Sequence, residues 1–109
     1  MSGAPIGPAD AVLYVLEGPA RRAVLIYLFD HAGATRQDIV AATASSPDAV
    51  TRALVDLKTL GYVTARTTER RGEPDHFTAL SEQFVTDLTE LRDQFAARLS
   101  PRPRPDTKP

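Results

Sequence analysis

The sequence predicts a mainly helical α+β domain with one small β-hairpin, on three observations. Residues Ser46 to Arg66, SPDAVTRALVDLKTLGYVTAR, hold a helix start, an amphipathic helix, a helix stop and a strand in one continuous segment. Two β-type runs, Tyr62 to Thr67 and Asp75 to Leu80, flank a polar loop containing Gly72 and read as a hairpin. Phe84, Leu88, Leu91, Phe95 and Leu99 recur at spacings of four, three, four and four, the narrow stripe of a helix that meets another helix.

The Ser46 segment carries its signals in order. Ser46 can cap the free N–H groups of a first turn, Pro47 suits the first helical position, and Asp48 favours the positive end of the helix dipole. Val50, Ala53, Leu54, Leu57 and Leu60 then fall on one face of a helix that advances about 100° per residue. Asp48, Thr51, Arg52, Val55, Asp56 and Thr59 occupy the other face. Gly61 tolerates the left-handed conformation that stops a helix, and Tyr62, Val63 and Thr64 prefer extended backbone.

Ahead of that segment, residues 1–8 are Gly- and Pro-rich and read as a flexible start, and Ala9 to Glu17 as a short apolar helix ended by Gly18-Pro19. A second helix, about Pro19 to Ala32, runs from Ala23 to Phe29 without a polar break. Such a helix is expected to be covered on more than one side, by terminal helices or by a second subunit. Thr35 and Asp38 stand at capping-box spacing for a short helix ending near Ala44, with Ile39, Val40 and Ala42 on its buried side. The brief Ser45-Ser46 connection makes the two helices around it a helix-turn-helix. At the other end Ser81 is a good N-cap for the striped helix. SPRPRPDTKP, with four prolines in ten residues, reads as a solvated, disordered tail over 100–109.

The whole chain narrows the function classes. Its 109 residues suit one domain, here 9–99, with little room for a deep cleft between two domains. Having no cysteine, it can form no disulfide, thiolate metal site or cysteine nucleophile, in keeping with a reducing cytoplasm. The apolar run Ala23 to Phe29 is too short to span a bilayer and the start lacks signal-peptide regions, so a cytoplasmic protein without a membrane partner is expected. Net charge is −1 but unevenly placed: residues 19–67 carry six basic side chains against four acidic, or +2, whereas 81–99 carry two against four, or −2.

In this order of elements the chain resembles the winged helix-turn-helix transcriptional regulators, particularly small dimeric repressors of the ArsR and MarR types. GPARRAVLIYLFDHAGATRQDIVAAT is similar to their scaffold helix and first helix of the turn. SPDAVTRALVDLKTLGYVTAR is similar to their recognition helix and first wing strand. The resemblance covers Ala9 to Leu99 and implies a helix 46–60 in the DNA major groove, a hairpin 62–80 as wing, and terminal helices that dimerise. On that reading Thr51, Arg52 and Val55 face base edges, Asp48 can accept a hydrogen bond from cytosine, and Lys58 flanks the same face. Arg36, Arg66, Arg70 and Arg71 would anchor phosphates. Val12, Leu13 and Leu16 with Phe84, Leu88, Leu91, Phe95 and Leu99 form the expected dimer interface, which would present two recognition helices to a pseudo-palindromic double-stranded operator.

Two alternatives stay open at this level. Asp48, Arg52 and Asp56 can form a solvated row of i,i+4 ion pairs, and the terminal stripe can pack on its own chain's scaffold helix. The domain could equally be a winged-helix protein-interaction module without specific DNA binding. No cofactor, metal or effector is assigned: His31 reads as a helix-end and His76 as a wing-strand histidine. No nucleophile triad or Gly-rich phosphate loop is present, so an enzyme is not expected.

Overall fold

The computed structural model describes residues 6–67, 70 and 72–99, apart from the side chain of Leu99. Arg71 and the tail from residue 100, with Arg102, Arg104 and Lys108, lie outside the described residues. The elements follow in the order α1 (Pro8–Glu17), α2 (Pro19–Asp30), α3 (Arg36–Thr43), α4 (Pro47–Leu60), β1 (Val63–Arg66), β2 (His76–Ala79) and α5 (Ser81–Leu99). This is the expected α+β arrangement.

Helix α4 has the bounds its sequence dictates. The Ser46 hydroxyl accepts the Ala49 N–H at 3.1 Å, and Gly61 closes the helix at φ +87°. Its face of Val50, Ala53, Leu54 and Leu57 is buried against the core that holds Val24, Leu25 and Leu28 of α2. In front of it, Thr35 and Asp38 cap α3 reciprocally, each side chain bonded to the other's backbone N–H at 3.1 Å. Ile39 is fully buried, Val40 half-buried, and Ala42 faces outward instead of inward. Ala44 ends α3 in the left-handed region at φ +56°, a conformation that costs an L-residue about 1–2 kcal/mol. The chain accepts it in order to turn sharply into α4.

The hairpin pairs β1 and β2 antiparallel, Val63 opposite Ala79 and Arg66 opposite His76. Each strand is shorter at both ends than its β-type residues suggested, although the Leu80 N–H still donates to the Tyr62 carbonyl at 2.7 Å. A link not foreseen ties it to the body: Ala34 bridges Phe77, with Gly33 N–H donating to the Phe77 carbonyl and Phe77 N–H to the Ala34 carbonyl, both at 2.8 Å. His76 joins the same corner through Nδ1 and the Gly33 carbonyl at 2.8 Å.

Several expectations need correction. Ser81 is the first residue of α5 and not its cap, since the Leu80 carbonyl already accepts the Phe84 N–H at 3.1 Å. Helix α2 stops at Asp30; within the chain Val24, Leu25 and Leu28 are buried, while Ile26 is 57% exposed and Phe29, whose ring lies 6.0 Å from that of Phe84, is partly exposed. Val12 and Phe84, expected on a seam between subunits, lie in the chain's own core, and Leu91 is buried with them. The reason is that α5 packs across α1 within the chain, so the two terminal helices cover one another. Leu13, Leu16, Leu88 and Phe95 are left outside.

Tyr62 locks α5 to the wing. Its ring is fully buried and meets Phe84 edge-on at 5.1 Å, while its hydroxyl donates to Asp87 Oδ2 at 2.6 Å. Burial first, then the Asp87 carboxylate, push the phenol pKa well above its ordinary value by penalising the charged form. Tyr62→Phe should lower stability by about 1–2 kcal/mol at neutral pH, read as a shift in denaturant midpoint. Because the folded pKa is the higher one, the wild type keeps this contribution below pH 10 and loses it as the unfolded phenol ionises above that value. That part of the alkaline slope should be missing in Tyr62→Phe.

Candidate nucleic-acid interface

Burying one face of α4 decides what the other presents. Thr51, Arg52, Val55 and Lys58 are all exposed, Val55 by 57%, and Asp48 is exposed in the first turn. They share a helix whose positive end is at Pro47, where an anion is favoured. Arg36, exposed at the start of α3, reaches across the turn so that its guanidinium donates to the Thr51 hydroxyl at 3.4 Å. Arg36, Gln37 and Val40 of α3, Pro47 of α4 and Pro74 of the wing loop line one shallow cleft. The wing thus stands beside the N-terminal half of α4.

The wing brings little net charge. Arg66 is exposed at the end of β1, and Arg70 lies 3.5 Å from Glu73 across a loop turn. An exposed pair of this kind contributes about 0–1 kcal/mol.

The alternative ion-pair row of Asp48, Arg52 and Asp56 along α4 is not seen among the described residues. Asp56 is taken by groups from another part of the chain: Arg21 Nη1 lies 3.7 Å from its Oδ2, and the Tyr14 hydroxyl donates to the same oxygen at 3.2 Å. The Arg21 guanidinium stacks on the Tyr14 ring, 3.7 Å from its centroid, and its Nε donates to the Tyr14 carbonyl at 2.8 Å. Arg52 lines the same recess as Tyr14, Arg21 and Asp56, yet among the described residues it makes no hydrogen bond or ion pair.

Sequence reasoning missed Tyr14, Arg21 and Arg22 at this corner. Two arginines in the first turn of α2 sit at its positive end, where cations are disfavoured. They are tolerated because they serve the end of α1: Arg21 bonds the Tyr14 carbonyl and Arg22 the Leu16 carbonyl, both otherwise short of donors at a helix C-terminus. An uncompensated Arg-Arg at a helix start was the available signal. The histidines are spent locally, His31 on the Tyr27 carbonyl and His76 on that of Gly33.

Two antiparallel strands beside a helix-turn-helix, with helices before and after, are the winged helix-turn-helix fold, and solved structures of transcriptional regulators share it. An ArsR family transcriptional regulator is 20% identical with a TM-score of 0.67, over 94% of this chain and 100% of its own. A MarR family transcription regulator is 20% identical with a TM-score of 0.59, over 85% of this chain. The chain spans 61% of that regulator's length. The MepR–DNA complex of S. aureus gives 19% identity and a TM-score of 0.53, over 85% of this chain and 84% of that one. No protein-family model and no curated protein matches the sequence.

The N-cap of α4 should matter beyond its single bond, since it orders the turn from which Thr51 and Arg52 project. Ser46→Ala is expected to cost about 1 kcal/mol, measured by thermal or denaturant unfolding, while Ser46→Asp costs little.

Proposed function

We propose that this chain is a sequence-specific double-stranded DNA-binding transcriptional regulator, a cytoplasmic homodimer that represses by occupying an operator. The observation that carries the reading is Arg52: an arginine without a partner among the described residues, on the outward face of a capped helix, between Thr51 and Val55. Arg can bond guanine edges in pairs of hydrogen bonds, Thr can bond phosphate, and Val can cover a thymine methyl. Arg36 and Lys58 lie where they can neutralise phosphates on either side, and Arg66, Arg70 and Arg71 belong to the wing that would follow the backbone. MepR, which shares the fold, has been solved with DNA. The role is binding, not catalysis.

The dimer reading draws on the apolar side chains left outside, Leu13 and Leu16 of α1, Ile26 and Phe29 of α2, and Leu88 and Phe95 of α5. Large apolar side chains of this number invite cover. A twofold pairing would present two α4 helices about one DNA turn apart, as an inverted repeat requires, and would double the contacts each subunit makes.

Selection from a random DNA pool should enrich an inverted repeat, with affinity falling steeply as salt rises. On the preferred site Arg52→Ala should cost about 1–3 kcal/mol and relax the base preference at one position of each half-site. No enrichment, together with binding indifferent to Arg52→Ala, would leave the protein-interaction module as the better reading. Sedimentation at micromolar concentration should show a dimer that Leu88→Asp converts to monomer without unfolding; a wild-type monomer would refute the pairing.

A further inference from the structure

We propose that Arg21 and Tyr14 act as positioning residues for DNA recognition: they clamp Asp56, withholding it from Arg52 and from phosphate. The inference rests on the DNA-binding reading above and adds to it Tyr14 and Arg21, which lie outside the helix-turn-helix, and Asp56 on the outward face of α4. Arg52 and Asp56 are four apart on α4, the spacing at which opposite charges on a helix normally pair. A paired Arg52 would have to break that pair before meeting a base, and a bare Asp56 would repel the backbone beside it.

The geometry removes both obstacles. Each part of the Arg21 side chain has a fixed contact: Nη1 faces Asp56 Oδ2 at 3.7 Å, Nε bonds the Tyr14 carbonyl at 2.8 Å, and the guanidinium plane lies 3.7 Å from the Tyr14 ring centroid. Tyr14 closes the triangle by donating its hydroxyl to the same Asp56 oxygen at 3.2 Å. The Arg21 side chain is only 18% exposed and that of Asp56 33%, so the pair is screened less by water than a surface pair. Gly18 provides the space: a Cβ there would stand 2.5 Å from Arg21 Cζ, inside van der Waals contact. The triangle also joins α1, α2 and α4, setting the recognition helix against the corner between the two helices behind it.

The test is DNA affinity on the selected operator at several salt concentrations, for wild type, Arg21→Gln, Asp56→Asn, the double variant and Gly18→Ala, each checked for native circular dichroism. Arg21→Gln should weaken binding by about tenfold, Asp56→Asn should stay within about threefold of wild type, and the double variant should return to within about threefold. Gly18→Ala, which leaves net charge unchanged but displaces the guanidinium, should weaken binding in the same direction as Arg21→Gln. A double variant as weak as Arg21→Gln would mean that Arg21 touches phosphate itself and would overturn the clamp. Asp56→Asn strengthening binding by the factor that Arg21→Gln loses would reduce the effect to net charge and overturn it as well. A wild type that binds no DNA at all overturns the underlying reading and the clamp with it, which distinguishes that failure from additive variants on a binding wild type.

Discussion

The contact on which the rest depends is the burial of one face of α4 against α2. Val50, Ala53, Leu54 and Leu57 from one helix and Val24, Leu25 and Leu28 from the other are withdrawn from water, each valine or leucine worth about 1.5–3 kcal/mol when fully buried. Rotating α4 by even one residue would bring Thr51 or Val55 inward and expose Val50, at a cost no surface contact could offset. The same burial sets the exit: Gly61 turns the chain at φ +87° so that the Tyr62 ring packs against Phe84 of α5 and β1 follows.

How much of this could be read from the residues depends on how local the cause is. Helix α4 and its caps were legible to the residue because Ser46, Pro47 and Gly61 act on their own neighbours, and the capping box of Thr35 and Asp38 likewise. What escaped were contacts between distant segments. The Ala34–Phe77 bridge pairs a turn with a strand more than forty positions away, and no periodicity marks it. The stripe on α5 was seen as a stripe, but whether a neighbour in the same chain or in another covers it depends on where α1 folds. Helix α1 covers Phe84 and Leu91, so the stripe divides between inside and outside.

Charge shows the same division. Counted along the sequence, Asp56 weakens the recognition face and Arg21 adds basicity to the segment. In three dimensions the two meet, and each is removed from the count. The basic groups that remain outward on the helix-turn-helix are Arg36, Arg52 and Lys58, fewer than the sequence total but none of them bound to a carboxylate in the described structure. On the proposed DNA-binding reading, a nearly neutral wing beside such a helix would set register more than supply attraction, since phosphate affinity scales with the number of cations that reach the backbone.

The division of the α5 stripe also bears on how that helix holds together. Through Leu91 it rests on the body of the domain, but beyond it Arg92 to Arg98 are all exposed and Phe95 has more than half its surface in water. Two helical turns without apolar cover among the described residues are marginal by themselves, and on the proposed dimer reading a second copy would supply that cover. On that same reading, helicity at that end would depend on concentration, and hydrogen exchange of its last amides would report assembly.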